Sequence, residues 1–424
     1  MLVWDALSVY GHKRRPARPR VPRQPRILVH DFSGHPFQID LSRRLAQRGY
    51  RVLHVHCPSY QSGKGRLTNS AGLEVVEIRI GASFHRYSPF LRLFQEVLYG
   101  IRFVKIARDF EPDVIVACND PLLAKGISGL WCKLRNIPWI FWLQDVYSLA
   151  ITRELEKRRL PFARLLGNLL QAIERQLLRS AHSVVTITED FLPVLLRWGI
   201  KSTDCSVIEN WAPIDEIPLR VRENDWRLTL GIQSNVAFIY SGTLGLKHDP
   251  DILHALAQHV LPAGADVIVI SEGLGIERLR ELQSAEELPN LRLLPFQPYD
   301  RLPDVLGAAD VLLVLLERDA GVFSVPSKVL TCMCAGRAIL GVMPRENLAA
   351  RNILRANAGK VVEPGDTTGF LDAADALLKD EAMRQDMGSA ARAFAELTFD
   401  GERIADRFEA LLNRAAISNN KTTT

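Results

Sequence analysis

Long apolar runs are missing from this chain of 424 residues. No stretch approaches the roughly 18 continuous apolar residues a membrane-spanning helix needs. The longest runs, 137–143 and 311–316, suit buried strands. Residues 1–10 are too short for a signal-peptide core, and the basic residues follow them rather than precede them. Cysteine is scarce: the six (Cys57, Cys118, Cys132, Cys205, Cys332 and Cys334) are scattered without a CxxC pair. They read as buried free thiols in a reducing cytosol, which disfavours a disulfide framework or a zinc site. GxGxxG and Walker A loops are absent, so a Rossmann-type NAD site and a P-loop are disfavoured. A DxD-type metal motif after a strand is also missing, and metal ligands are not expected. The body lacks a charge of one sign. The net charge of +5 resides in residues 1–25, where six Lys/Arg face only Asp5, and the remainder is formally neutral. A nucleic-acid-binding protein would carry its basic patch on the body, so nucleic acid is not expected as a partner. The Pro/Arg-rich tail, 1–25, reads as disordered.

What is present is ordinary globular composition, 47% hydrophobic and 24% charged. Short β-branched runs alternate with segments of helical period. Strands are predicted at 26–32, 51–57, 73–80, 113–118, 138–145, 183–188 and 206–209. A second series is predicted at 236–241, 266–271, 291–295, 311–316, 338–342 and 359–362. Nearly continuous Val/Ile/Leu strands alternating with helices imply parallel sheets covered on both faces. The fold class is therefore α/β, with two doubly wound, Rossmann-like parallel-sheet domains facing across a cleft. They are placed at 26–212 and 213–397, joined through the polar stretch 211–226. A ligand is expected at the carboxyl ends of the strands, in that cleft. Helical segments 84–110 and 158–179 mix apolar residues with Arg and Lys, a pattern that lies on an anionic membrane surface or packs on a sheet with its basic side in water.

The loops after the strands carry the candidate chemistry. The first strand runs into Gly34 and His35 before a helix, where backbone amides can face a ligand. After the strand at 236–241 come Gly242, Thr243 and Lys247, a phosphate cradle ahead of a helix that begins near Asp249. Glu272 and Gly273 follow the next strand. Residues 291–303 form a strand, a Pro-punctuated loop with Phe296 and Gln297, and a helix. The most informative stretch is 323–340. Pro326 and Ser327 suit a helix start, with Ser327 accepting from the first N–H groups, and Gly336 suits its end. Lys328 in the first turn opposes the helix dipole, which makes sense if an anionic ligand docks there.

Six segments taken together resemble the retaining glycosyltransferases of family 4, with the GT-B fold, in the bacterial exopolysaccharide and colanic-acid branch. They are 144–150 (QDVYSLA), 207–213 (VIENWAP), 240–253 (YSGTLGLKHDPDIL), 271–275 (SEGLG), 290–316 and 324–340 (SVPSKVLTCMCAGRAIL). The resemblance implies a nucleotide-diphospho-sugar as co-substrate, UDP-sugar ahead of GDP-sugar, with no cofactor and no metal. It implies a polyprenyl-diphosphate-linked saccharide acceptor on the N-terminal domain, at the inner face of the cytoplasmic membrane. It implies that 398–424 holds a helix near 400–414 crossing back to the first domain, then a disordered end. Carried over by position, Gly242, Thr243, Lys247, Ser327 and Lys328 meet the diphosphate or sugar. Glu272 and Gly273 meet the nucleotide, and Phe296 and Gln297 the base. Gly34 and His35 approach from the other side of the cleft. Asp145 orients the acceptor hydroxyl, with a helix-capping role as the alternative. One departure stands out. The family's paired glutamates fall on Phe323 and Thr331, neither acidic, and Thr331 takes the ribose-binding place. Two other readings remain open: a nucleotide-sugar epimerase of the same fold, and a non-catalytic binding protein.

Overall fold

The computed structural model describes residues 24–422, except 60–63, 82–88, 158, 160–161, 246–247 and 321–322. The basic tail and Lys247 thus lie outside the described residues. In the first half the strands are β1 (Arg26–His30), β2 (Arg51–His56), β3 (Leu73–Glu77), β4 (Val114–Ala117), β5 (Trp139–Leu143), β6 (Ser183–Thr186) and β7 (Cys205–Val207). They form one parallel sheet in the order β3-β2-β1-β4-β5-β6-β7. In the second half β8 (Ala237–Ser241), β9 (Asp266–Ile270), β10 (Leu291–Leu294), β11 (Val311–Leu315), β12 (Ala338–Val342) and β13 (Gly359–Val362) form a parallel sheet in the order β10-β9-β8-β11-β12-β13. Every residue of β5, β11 and β12 is buried. Such strands need helices on both faces, which is why a strand–helix alternation in sequence becomes two doubly wound domains.

Several strands end one to three residues before the predicted limits. Asp31, Cys57 and Ser271 are buried and still donate one amide hydrogen bond across to a neighbouring segment, to Val55, Phe32 and Leu294 at 2.9, 3.2 and 3.1 Å, but the paired register ends before them, as it does before the buried Gln144. Residues that turn into a loop can stay buried with only one last hydrogen bond to the neighbour, so hydrophobicity alone overruns the strand end.

Five helices matter for the site: α1 (Pro36–Gln47), α2 (Pro89–Phe110), α3 (Leu122–Arg135), α4 (Tyr147–Lys157) and α5 (Ala163–Ser180). α1 starts cleanly because His35 is extended (φ −67°, ψ 145°) and Pro36 occupies its first turn. α2 and α5 answer to the two basic apolar segments, and residues 84–88 of the first lie outside the described residues.

The chain crosses between domains after β7. Trp211 still belongs to the first core, 6.0 Å from Trp142 between ring centroids. Trp226 sits on a short helix of the second domain, Asp225–Thr229. The last helix, Gly401–Thr422, returns to α1. Arg48 pairs with Glu402, Asp406 and Glu409 at 2.7–2.8 Å, and Phe408 packs 4.6 Å from Trp142. This helix runs past the expected end near Arg414, since no Gly or Pro interrupts residues 402–422.

Candidate functional site

In doubly wound sheets a ligand sits where neighbouring strands send their chains in opposite directions. The first sheet reverses between β1 and β4, and the second between β8 and β11. The loops from both reversal points face one cleft of about 510 Å³ between the domains. His35 after β1 and Asn119 after β4 line one wall. Gly242 and Thr243 after β8, and the 324–328 segment after β11, line the other.

The second wall holds the strongest electrostatic feature. Lys328 opens the helix Lys328–Ala335, and its Nζ donates to Tyr240 Oη while lying 3.8 Å from the centroid of the same ring. Tyr240 Oη donates in turn to the Thr243 carbonyl at 2.9 Å. Desolvation by this enclosure pushes the Lys328 ammonium down to about 7. Gly242 has φ +145°, and a Cβ there would stand 2.9 Å from Lys328 Nζ. Glycine thus serves both the backbone conformation and the close lysine. Ser327 precedes this helix but makes no side-chain cap, contrary to expectation. Its backbone is already helical (φ −62°, ψ −20°), whereas a capping serine needs extended geometry.

Phe296, Gln297 and Tyr299, beyond β10, extend this wall. Their loop is braced from behind. Trp226 Nε1 donates to Gln297 Oε1 at 3.2 Å, Gln297 Nε2 to the Pro295 carbonyl at 3.0 Å, and Tyr299 Oη to Glu216 at 2.8 Å. With those groups fixed, a flat base could be held by the loop's backbone.

On the facing wall, Gly34 (φ +77°) accepts the Gly65 amide at 2.8 Å, which brings Lys64 and Gly65 beside His35. Burial pushes the His35 imidazole down to about 4, against the opposing pull of Asp145 and with help from Lys64. His35 is therefore neutral near pH 7 and can accept or donate one hydrogen bond. Asp145 follows β5 and lines the cleft beside Gln144, whose amide exchanges hydrogen bonds with Asn210 at 3.1 and 2.5 Å.

His35, Asp145, Gly242, Thr243, Phe296, Gln297, Ser327, Lys328 and Thr331 thus share one cleft. Glu272 and Gly273 lie off its wall. Their loop supports the glycine loop instead: Ser271 Oγ accepts the Leu244 amide at 3.0 Å, and the Gly275 amide donates to the Leu244 carbonyl at 3.1 Å. Gly34 stands just behind the wall.

Residues 34–211 match the family model of the glycosyl transferase 4-like domain. The colanic acid biosynthesis glycosyl transferase WcaI of Escherichia coli strain K12 is 24% identical over 306 residues, 71% of this chain and 74% of its own length. The chain is a glycosyltransferase whose first half carries a glycosyl transferase 4-like domain. Solved structures agree on the fold. Sucrose-phosphate synthase from Thermosynechococcus elongatus superposes with a TM-score of 0.71 at 15% identity, covering 93% of this chain and all of that one. Anabaena Alr3699/HepE in complex with UDP and glucose superposes with a TM-score of 0.67 at 17% identity, covering 92% and 100%. Both sheets of this glycosyltransferase therefore belong to a GT-B architecture.

Phe323 and Thr331, the two positions on which the resemblance would set glutamates, have specific surroundings. Phe323 is buried, and its carbonyl accepts the Val146 amide at 3.2 Å across the domain boundary. Thr331 faces the cleft, but its hydroxyl donates to the Lys328 carbonyl at 2.9 Å. No group of three or more His, Cys, Asp or Glu that could hold a metal gathers among the described residues. Sequence reading passed over Lys64, Asn119, Gln144, Asn210, Ser241 and His248, all on the cleft wall. Asn119 directly follows the strand predicted at 113–118, so applying the strand-end rule to every strand would have found it, whereas Gln144 fell inside the strand predicted at 138–145, which ends at Leu143. Lys64 sits in a long loop without a motif and gave no signal.

Proposed function

We propose that this glycosyltransferase moves a hexose or N-acetylhexosamine from a UDP-sugar to a polyprenyl-diphosphate-linked saccharide, with retention and without a metal. The observation that carries this is the enclosed Lys328 against Gly242 at the reversal point of the second sheet. A nucleotide diphosphate is the ligand whose charge answers that cation. A neighbour in fold binds UDP and glucose, and a relative is named for colanic acid biosynthesis. In the reaction the bond from C1 to the β-phosphate oxygen breaks, and a bond from C1 to the acceptor oxygen forms on the same face. The acceptor proton passes to the departing phosphate oxygen, so no paired carboxylates are required. Lys328 stabilises the leaving diphosphate, and Asp145 orients the acceptor hydroxyl. Thermal melting across UDP-, GDP- and dTDP-sugars tests the donor class: stabilisation by UDP-sugars ahead of the others is expected. No shift with any nucleotide sugar would contradict the reading.

A lipid-linked acceptor places the enzyme at the inner face of the cytoplasmic membrane, attached peripherally. No helix among the described residues is long and apolar enough to cross a bilayer. Exposed apolar side chains lie on three helices that pack in series, α2 on α3 and α3 on α5: Leu93, Phe94 and Ile101 on α2, Leu130 and Leu134 on α3, and Leu165 and Leu169 on α5. Arg102 and Arg164 add positive charge there. A Leu165→Glu/Leu169→Glu variant is expected to bind phosphatidylglycerol vesicles at least tenfold more weakly, since each leucine inserted contributes about 1.5–3 kcal/mol. UDP binding should not change. Flotation equal to the wild type would contradict the membrane assignment.

A further inference from the structure

α4 begins two residues after Asp145 and touches the second domain through Arg153 and Lys157. The residue just before it, Val146, has no side-chain acceptor to cap the helix. That task falls to Glu174, which reaches over from α5. One carboxylate oxygen accepts the Tyr147 amide at 3.1 Å and the other accepts the Ser148 amide at 2.9 Å. Glu174 is fully buried, within electrostatic reach of the buried Lys125.

The same helix is tied to the donor half. The Val146 amide donates to the Phe323 carbonyl at 3.2 Å, one residue before the 324–328 segment. Arg153 donates to the Asp319 carbonyl at 2.5 Å and lies 5.4 Å from the centroid of the Phe323 ring. Lys157 pairs with Asp319 at 2.9 Å. On the other side, Tyr147 Oη donates to Asn119, which lines the cleft, at 3.3 Å. Displacing the start of α4 therefore moves Asp145, Tyr147 and the contact with Phe323 together.

We propose that Glu174 is a positioning residue of the transfer site. Its two hydrogen bonds fix the first turn of α4, and so hold Asp145 and Val146 in register with the loop that leads into Lys328. The proposal rests on the reading that Lys328 holds the donor and Asp145 faces the acceptor. Burying a carboxylate is costly when a serine at position 146 would cap the helix locally. What the carboxylate adds is a bond between two helices. It makes the place of Asp145 depend on α5, the helix that carries the exposed Leu165 and Leu169.

The test is amide hydrogen exchange of the full chain with and without UDP, beside calorimetric UDP affinity. In the wild type, UDP is expected to slow exchange across residues 146–150 by about tenfold, through the Val146–Phe323 bond. In Glu174→Gln that slowing should disappear, while UDP affinity stays within about twofold. Arg153→Ala loosens the opposite end of α4 at the surface and should give the same signature if Glu174→Gln does not fold. Protection by UDP that survives in both variants overturns the proposal. So does a loss of protection spread over the whole chain with UDP affinity falling in proportion, because that marks a purely structural carboxylate. Failure of the wild-type protein to bind UDP at all is a different result: it overturns the donor-site reading and removes the basis of this one.

Discussion

Lys328→Met is expected to weaken UDP binding by between about 10- and 100-fold, the worth of a charge-assisted contact of about 1.5–3 kcal/mol. Methionine keeps most of the volume packed on Tyr240 and removes only the ammonium. Turnover should fall further, on the order of 100-fold, because the same charge stabilises the departing diphosphate most strongly when its bond to sugar is breaking. The titration of this lysine supplies an independent check. Enclosure against Tyr240 holds Lys328 near 7 in the free enzyme, well below an ordinary lysine. An incoming diphosphate favours the charged form and raises it. Below pH 7 the group is already protonated, and binding takes up no proton there. Above pH 7 binding must protonate it, so UDP affinity should decline as pH rises until the pKa of the complex is reached. Calorimetry in buffers of different ionisation enthalpy should show proton uptake at pH 8 in the wild type and less in Lys328→Met. Equal affinities and equal uptake would place the diphosphate elsewhere.

Gly242→Ala is expected to weaken the donor site by a steric route. The backbone at φ +145° is rarely open to an L side chain, with a cost of about 1–3 kcal/mol. The new Cβ would also stand 2.9 Å from Lys328 Nζ and 3.0 Å from Cε. The lysine must leave its place on Tyr240, or the 241–245 loop must shift. Either response should lower UDP affinity as far as Lys328→Met does. Because both changes act on one contact, the double variant should lose little more than either single one. Additive losses would mean that the glycine loop and the lysine bind separate parts of the ligand.

The order of the sheets explains how far sequence could lead. Thirteen strands were legible because parallel strands buried on both faces leave continuous apolar runs such as 311–315 and 338–342. Their pairing was not legible, because strand order is set by where each helix lands, and no local pattern in residues 26–30 says that β4 is their neighbour. Glycine loops after β8 and the lysine after β11 could be singled out from local chemistry. That they meet was a consequence of the strand reversal between β8 and β11. The loop at 271–275 shows the converse. It has the same glycine-rich character as 241–245, yet it braces that loop from beneath. Two loops of similar composition take different places because only one of them follows a strand at the reversal point. Glu174 lay outside reach altogether. In sequence it is one acid in a basic amphipathic helix, and its burial depends on the first turn of α4, 26 residues earlier.

A crystal structure of the full chain with UDP would show whether a nucleotide diphosphate binds between Gly242 and Lys328. The diphosphate is expected in hydrogen-bonding reach of Lys328 Nζ and the 242–243 backbone, with the uracil against Phe296 and Gln297. A diphosphate bound out of reach of both Gly242 and Lys328 would contradict that expectation.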